Sequence, residues 1–202
     1  MINYDTKKSP ICLILGASGS GKSTIVNELE NRYGLKAIPS YTTRQPRTPD
    51  EKGHTFITED EFDKLENIIA YAETDSCRYA VTTDMLEDEQ YSLYVVDLTG
   101  LKYLYENYHG NRPLVSVYID VDVYERFNRM IDRKDDRTPI VKVKAALSRI
   151  EHDAVEFNKA EIAKNVGFIV RNPKDKFESA VRHVKRICDL YGITGEYDRV
   201  KE

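Results

Sequence analysis

The sequence predicts an α/β fold with a central five-stranded parallel sheet flanked by helices. Two observations lead to this prediction. Short apolar runs alternate along the chain with longer segments whose apolar residues recur at helical spacing. A glycine-rich loop joins the first apolar run to the first helical segment, as in a βαβ unit. With 202 residues, of which 41% are hydrophobic, the chain is expected to form one domain around one core.

Five apolar runs are the predicted strands of this sheet. The first reads Ile-Cys-Leu-Ile-Leu, and such a continuous apolar run is typical of a strand that is buried on both faces. The predicted strands cover residues 11–15, 36–38, 93–97, 114–119 and 167–170. Residues 68–73 and 78–83 predict two short strands of a separate small sheet.

Apolar residues at helical spacing predict the helices between these strands. Three helices are predicted at residues 21–32, 101–108 and 123–131, and two longer ones at 141–163 and 176–190. The helix at 141–163 is predicted to bury one apolar face, consisting of Val143, Leu147, Ile150, Ala154 and Phe157. The last helix is predicted to bury Phe177, Val181, Val184, Ile187 and Cys188.

The glycine-rich loop matches a phosphate-binding motif. Residues 16–24 read Gly-Ala-Ser-Gly-Ser-Gly-Lys-Ser-Thr, which fits the P-loop pattern G-x-x-x-x-G-K-[ST]. In this pattern the backbone N–H groups wrap around a polyphosphate, Lys22 reaches the β- and γ-phosphates, and the Ser23 hydroxyl ligates Mg²⁺. The start of the next helix adds a further anion site. We therefore predict that ATP binds to nine residues, with Mg²⁺ on Ser23: Gly16, Ala17, Ser18, Gly19, Ser20, Gly21, Lys22, Ser23 and Thr24.

Composition argues against several other classes of protein. The net charge of −4 disfavours a nucleic acid polymer as partner. Cys12, Cys77 and Cys188 are odd in number and far apart, which predicts reduced thiols and no zinc site. Residues 1–10 are polar and no segment has the length and apolarity of a membrane span. We expect a cytoplasmic enzyme for small molecules, as a monomer or a homodimer.

Two segments are predicted to be insertions on a core that consists of residues 9–39, 93–128 and 143–191. Residues 40–92 carry arginines, polar turns and short strands, and their arginines suit a second phosphate group, that of a phosphoryl acceptor. Residues 129–142 carry a run of charges, which taken alone would indicate a solvated helix end. Phosphoryl transfer requires cations at the γ-phosphate and the exclusion of water. We therefore predict that this segment is a lid that carries Arg129, Arg133 and Arg137.

A second motif lies in the predicted acceptor region. Residues 40–56 read Ser-Tyr-Thr-Thr-Arg-Gln-Pro-Arg-Thr-Pro-Asp-Glu-Lys-Gly-His-Thr-Phe. Arg44 and Arg47 form a compact set of donors that suits a second phosphate. The stretch resembles the guanylate kinase family, whose pattern is roughly S-x-T-T-R-x-P-R-x-G-E-x-x-G-x-x-Y-x-F. The resemblance extends to residues 71–73, 79, 93–102, 129–133 and 169–172, and so covers nearly the whole chain.

This resemblance implies a P-loop kinase fold and transfer of the γ-phosphoryl group of ATP to GMP, with Mg²⁺. It places Arg44, Arg47 and Tyr79 at the acceptor phosphate and Ser40 at guanine. It places Asp97 near the acceptor base and the metal, as an indirect metal candidate, and Asn172 near adenine. The implied catalytic residues are Lys22, Arg44, Arg129, Arg133, Arg137 and Arg149.

The sequence departs from the family pattern where guanine is read. The family's guanine-reading glutamate falls on Ala70, and a hydroxyl near the base falls on Val81. Alanine cannot accept hydrogen bonds from the N1–H and N2–H₂ groups of guanine. Glu73, Thr82 or Thr83 would restore such contacts if the register shifts slightly. Each unpartnered group at a buried base edge costs about 1–3 kcal/mol, so these changes predict weak or altered guanine preference.

Other departures affect phosphate-binding positions. The segment from Arg47 to Phe56 is about two residues shorter than in the family, and a phosphate-binding tyrosine there is replaced by His54, which can still donate. A lid-side arginine falls on Ala146, with Arg149 about one turn further along. The first acidic residue of an Asp-x-Asp strand end falls on Val95.

The sequence as a whole predicts an ATP-dependent nucleoside monophosphate kinase that acts on GMP or dGMP. One alternative is a kinase of the same fold for another acceptor, such as another nucleotide or a ribose bisphosphate, and Ala70 and Val81 favour it. A non-catalytic guanylate-kinase-like module that binds a protein is disfavoured by the intact Gly-Lys-Ser-Thr of the P-loop. A P-loop GTPase or ATPase switch is disfavoured because the chain has no N-K-x-D pattern.

Overall fold

A computed structural model describes residues 8–46, 49, 51–74, 76–133 and 137–195 of the chain. Its strands are β1 (Ile11–Leu15), β2 (Ser40–Thr42), β3 (His54–Phe56), β4 (Ile68–Thr74), β5 (Cys77–Thr82), β6 (Leu93–Val95), β7 (Leu114–Asp120) and β8 (Phe168–Arg171). Its helices are α1 (Lys22–Tyr33), α2 (Glu59–Phe62), α3 (Thr83–Glu87), α4 (Leu98–Asn107), α5 (Val123–Ile131), α6 (Pro139–Glu156), α7 (Lys159–Asn165) and α8 (Phe177–Leu190).

The central sheet is parallel, with the strand order β6-β1-β7-β8, which confirms the predicted α/β fold. It has four strands within the described residues and not the predicted five. The segment predicted as the fifth strand, residues 36–38, makes a single parallel bridge between Ala37 and Leu93. Pro39 follows at once, and proline cannot donate to a strand ladder. The chain then leaves this sheet and enters β2 at Ser40.

Helices cover both faces of the central sheet. Residues from α1 and α8, such as Leu29, Val181 and Cys188, form one buried layer with Cys12 and Ile14 of β1. Residues from α4 form the opposite layer with the remaining β1 side chains. All five residues of β1 are fully buried. Because β1 lies between these two layers, its carboxyl end holds the glycine-rich loop in a fixed position.

A second sheet, with the strand order β3-β2-β5-β4, is formed by the chain between β1 and β6. The predicted pair of strands at residues 68–73 and 78–83 is present as the antiparallel pair β4 and β5. Ile69, Ala70 and Val81 of this pair are buried together with Leu98 and Leu101 of α4. In the part of the chain that the structure describes, no helix is long and apolar enough to span a membrane.

The predicted helix at 141–163 is two helices, and its predicted apolar face is only partly buried: Val143, Ile150 and Phe157 are half-buried, and Ala154 is exposed. Helix α6 ends at Glu156, and Asn158 begins α7 because its side chain accepts a hydrogen bond from the Glu161 N–H at 3.0 Å. The fully buried residues of α6 are Ala146 and Asp153, whereas Leu147, which was predicted to be buried, is 49% exposed. The face of α6 that packs inward therefore includes a buried carboxylate, Asp153, beside apolar residues.

Candidate active site

A cleft with a volume of about 220 Å³ lies between the glycine-rich loop and the second sheet. It is bounded by the end of β6 on one side and by α6 on another. Of the predicted site residues that the structure describes, eight line this cleft: Gly16, Ser18, Lys22, Ser40, His54, Tyr79, Asp97 and Arg149. The structure thus brings residues of the loop and of the second sheet, which are far apart in sequence, into one cavity.

The loop between β1 and α1 has the geometry of an anion site. Gly19 has a φ of +78°, and a Cβ atom there would lie 2.7 Å from the carbonyl oxygen of Arg126. Gly21 is the N-cap of α1, with a φ of +89°, and no side chain caps this helix end. The first N–H groups of α1 therefore remain available to a bound anion.

Lys22, the first residue of α1, is held beneath the loop. Its ammonium group donates hydrogen bonds to the carbonyl oxygens of Gly16 and of Ala17, the latter at 3.3 Å. Burial lowers the pKa of Lys22 to about 8, against the opposing effect of nearby carboxylates, of which Asp153 has the largest effect. The site therefore holds a cation that is partly stripped of water, which strengthens its attraction for phosphate.

Arg129 and Asn172 support the far side of the loop. Arg129 of α5 donates to the carbonyl oxygens of Gly19 at 3.4 Å, of Ser20 at 3.3 Å and of Asn172 at 2.7 Å. The Asn172 amide donates to the Ser20 carbonyl oxygen at 2.8 Å. Asn172 Oδ1 and Ser20 Oγ are buried and have no hydrogen-bond partner among the described residues. In this conformation Arg129 contacts the loop itself.

The polar groups around the loop fit Mg²⁺. Ser23 and Thr24 are exposed on the first turn of α1, and Asp97 lines the cleft. Hydroxyl and carboxylate oxygens are the ligands that Mg²⁺ prefers. His152, Asp153 and Glu156 form another group whose ligand atoms lie within 4.8 Å of one another.

Two carboxylates meet at the start of α4. Asp97 is the N-cap of α4 and accepts the Gly100 N–H at 2.6 Å. Glu156 of α6 accepts the N–H groups of Leu98 at 3.0 Å and Thr99 at 3.3 Å. Burial raises the pKa of both carboxyl groups, and the charge of Asp97 raises that of Glu156 further. Asp97 therefore caps a helix and also presents an acidic group to the cleft.

Sequence reasoning missed Asp153, Glu156 and Arg126. Asp153 accepts a hydrogen bond from the Ser18 N–H at 2.7 Å and forms an ion pair with Arg126 at 3.0 Å. Asp153, Glu156 and Arg149 lie on one side of α6 at helical spacing. That polar spacing is a usable signal, but it lies next to the apolar pattern that predicts the buried face of the helix.

On the acceptor side, the predicted side chains contact one another. Ser40 Oγ lies 3.0 Å from His54 Nδ1, and the His54 ring packs edge-on against Tyr79 with 5.7 Å between ring centroids. Arg44 forms two hydrogen bonds with the Glu51 carboxylate, at 2.8 and 3.2 Å. It is outside the residues that line the cleft. Arg47 lies outside the described residues.

The remaining predicted acceptor and lid residues that the structure describes do not line the cleft. Glu73 is exposed and accepts a hydrogen bond from the Tyr71 hydroxyl at 3.4 Å, while Thr82 is half-buried at the start of α3. Arg133 and Arg137 are exposed. Ala70 and Val81 are fully buried in the core. No polar side chain therefore stands at the two positions where the family resemblance expects guanine contacts.

Comparisons with known proteins agree on one family. A family model described as guanylate kinase matches residues 7–191. The guanylate kinase of Bacteroides fragilis is 26% identical over 208 residues, covering 96% of this chain and 95% of that protein. That of Neisseria gonorrhoeae is 36% identical over 84 residues, which span only 41% of its length. The crystal structure of guanylate kinase from Anaplasma phagocytophilum has a similar fold, with a TM-score of 0.57 at 21% identity, covering 92% of this chain and 88% of that one.

Proposed function

The chain belongs to the guanylate kinase family, and we propose that it is a phosphotransferase that moves the γ-phosphoryl group of ATP to GMP or dGMP. The observation that carries this proposal is the shared cleft, which is lined by Lys22 from the P-loop, by Ser40, His54 and Tyr79 from the second sheet, and by Arg149. A loop for one polyphosphate and a polar pocket beside it are what direct transfer between two bound phosphates requires.

In the proposed donor site, the P-loop backbone holds the β- and γ-phosphates of ATP. Lys22 exchanges its bonds with the Gly16 and Ala17 carbonyl oxygens for bonds with phosphate oxygens. Ser23 and Asp97 are the residues that would hold Mg²⁺, which neutralises charge on the phosphates when bound. Asn172 Oδ1 and Ser20 Oγ are buried polar atoms without a partner in the described chain, and each suits a polar group of the nucleotide.

In the proposed acceptor site, Ser40, His54 and Tyr79 face the acceptor from the second sheet. Arg44 binds the acceptor phosphate after it leaves Glu51, with Arg47 as its proposed companion. Arg149 provides a cation in the cleft for the charge that develops on the transferring group. We propose residues 129–142 as the lid and Arg133 and Arg137 as cations that arrive when it closes. Residues 40–92 are the proposed acceptor-binding region.

A second acceptor class is favoured by one specific observation. Ala70 and Val81 are fully buried among apolar residues, so neither position offers a polar group to the edge of guanine. An acceptor that is recognised mainly through its phosphate would not require those contacts. Another nucleoside monophosphate or a small sugar phosphate, such as a ribose bisphosphate, therefore remains the alternative acceptor for the same reaction.

A coupled assay of ADP release tests the proposal. Purified protein is supplied with ATP, Mg²⁺ and one acceptor at a time, from a panel of ribo- and deoxyribonucleoside monophosphates and sugar phosphates. We expect the highest kcat/KM with GMP or dGMP, and a phosphorylated product confirmed by phosphorus NMR. The Lys22→Ala protein, prepared identically, measures contaminating kinase activity. A higher kcat/KM for another acceptor would select the alternative, and no acceptor-dependent ADP release would contradict both.

A further inference from the structure

Helix α6 presents an unusual inner face. Asp153 is only 4% exposed, and Glu156 is partly buried, while Val155 beside them is 79% exposed. A surface helix ordinarily turns its apolar side chains inward, because their burial stabilises the fold and the burial of carboxylates opposes it. Local departures of this kind concentrate at functional sites. The contacts of the buried Asp153 carboxylate therefore contribute to the orientation of α6.

Asp153 joins three elements of the donor site. One carboxylate oxygen accepts the Ser18 N–H at 2.7 Å, and the other accepts the Ser18 hydroxyl at 3.3 Å. Arg126 of α5 donates to the same carboxylate at 3.0 Å and to the Ser18 carbonyl oxygen at 3.3 Å. The N–H, hydroxyl and carbonyl groups of Ser18 are thus all held by this pair, which links the P-loop to α5 and α6.

This pair does not have an obvious purpose in stability alone. A buried ion pair contributes little net stability compared with well-packed apolar residues, because both charges lose their hydration. The pair does fix the positions of the P-loop, α5 and α6 relative to one another. Arg149 lies one turn before Asp153 on the same side of α6 and lines the cleft. An α6 that is anchored to Ser18 through Asp153 therefore sets the P-loop and Arg149 at a constant separation.

We infer that Asp153 is a positioning residue of the donor site, which holds the P-loop at Ser18 in its phosphate-binding shape and aligns it with Arg149. This inference rests on the donor half of the proposed function and is independent of which acceptor is used. Asp153 is not among the residues that the sequence predicted for the donor site. Positioning of this kind lowers the cost of ordering the loop when the nucleotide binds.

The test measures the affinity for β,γ-imido-ATP with Mg²⁺ by calorimetry, together with the unfolding temperature of each variant. Asp153→Ala removes the acceptor of the Ser18 N–H, and we expect its Kd to rise about tenfold or more. Asp153→Asn keeps a carbonyl oxygen for that N–H, so we expect its Kd to lie between those of the alanine variant and the wild type. Glu151→Gln, on the exposed side of the same helix, is the matched control and should bind like the wild type.

A double variant separates positioning from charge balance. Asp153→Ala leaves Arg126 unpaired, which lowers stability for reasons unrelated to the loop. In Asp153→Ala/Arg126→Met this unpaired charge is gone, so we expect the unfolding temperature to recover while the Kd stays raised. Recovery of the Kd to within about twofold of the Glu151→Gln control would overturn the inference, as would an unchanged Kd in Asp153→Ala.

The wild-type protein distinguishes the two proposals. Wild-type protein that binds the analogue but phosphorylates no acceptor would contradict the proposed reaction and leave the role of Asp153 standing. A wild type that does not bind the analogue would contradict the donor assignment, and with it the inference. Normal binding by both wild type and Asp153→Ala would contradict only the role of Asp153.

Discussion

The donor and acceptor sides of the proposed site, called here the donor wall and the acceptor wall, differ in how their functional side chains are held. On the donor wall, Lys22, Arg129 and Asn172 are bonded to backbone carbonyl groups of the P-loop region. On the acceptor wall, Arg44, which does not itself line the cleft, donates to the Glu51 carboxylate and to the Gln45 carbonyl oxygen, each at 2.8 Å. The donor wall is therefore fixed by the backbone of the core. The acceptor wall includes an arginine that is paired with a charged side chain, Glu51, which a bound phosphate would replace.

This difference has a functional consequence. A loop that is already in its binding conformation loses little conformational entropy when the polyphosphate binds. Changes in the donor wall should therefore impair turnover directly. Arg44 must leave a charged partner, Glu51, before it binds phosphate, whereas Lys22 leaves only neutral carbonyl oxygens. The exchange at Arg44 should therefore set the affinity for the acceptor and not the chemical step. Donor-wall variants should therefore mainly affect kcat and ATP affinity, and acceptor-wall variants mainly the acceptor KM.

The largest expected effect belongs to the donor wall. Lys22→Ala removes the enclosed cation under the P-loop, and we expect kcat to fall by about 10²- to 10³-fold with the fold intact, since loss of one preorganised donor has effects of this size. Steady-state ADP release measures it, and circular dichroism confirms folding. Lys64→Ala, at an exposed lysine, is the control. A near-normal kcat in the Lys22→Ala protein would contradict the proposed mechanism.

The next effect belongs to the acceptor wall. Arg44→Ala removes a guanidinium that can form charge-assisted hydrogen bonds, so we expect the acceptor KM to rise about 10- to 100-fold, while the ATP KM changes little. Arg32 is a matched control, because it also forms a paired hydrogen bond with a glutamate, Glu178, but on the protein surface. If Arg44→Ala and Arg32→Ala have the same acceptor KM, the acceptor phosphate binds elsewhere.

The third effect is a pH dependence that only the donor wall should show. Burial lowers the pKa of Lys22 to about 8. Below that pH the free protein carries the charged amine that phosphate prefers, and above it the amine must take up a proton as ATP binds. We therefore expect the ATP Kd to rise with pH above 8, by at most about tenfold per pH unit. Calorimetry at pH 7, 8 and 9 measures this, and Lys22→Ala should lack the rise.

The sequence predicted the donor wall well because the P-loop and its flanking strand and helix are specified by residues close together in the chain. The P-loop pattern from Gly16 to Thr24 specifies a backbone shape, and the flanking strand and helix were predicted at β1 and α1 almost to the residue. The predicted helix at 123–131 is α5, with the same bounds. Glycine positions and helical periodicity determine such elements without reference to the rest of the chain.

The sequence predicted less where contacts between distant segments decide the structure. The apolar residues of α6 predict which face of the helix is buried. The burial of Asp153 instead depends on its hydrogen bonds with Ser18 and Arg126, which lie 135 and 27 residues away in sequence. The fifth strand was shortened by Pro39 to a single bridge. The pairing of Arg44 with Glu51 depends on how the loop between them folds. None of these outcomes follows from residue spacing alone.

The smallest expected effect tests the contrast between the walls most directly. Both side chains of the Arg44–Glu51 pair are largely buried, so the Glu51 charge competes with any phosphate that approaches Arg44. Glu51→Gln keeps the size of the side chain and removes the charge. We expect the acceptor KM to fall by about two- to fivefold with kcat unchanged, because the phosphate then displaces a weaker partner.

Glu178→Gln, in the surface pair with Arg32, is the matched control for this substitution and should leave the acceptor KM unchanged. The sign of the change in the Glu51→Gln protein is decisive. A lower KM means that Glu51 competes with the acceptor and that the acceptor wall is held by exchangeable partners. A higher KM would mean that Glu51 orients Arg44 for its ligand. The acceptor wall would then be as preorganised as the P-loop, and the difference between the two walls would disappear.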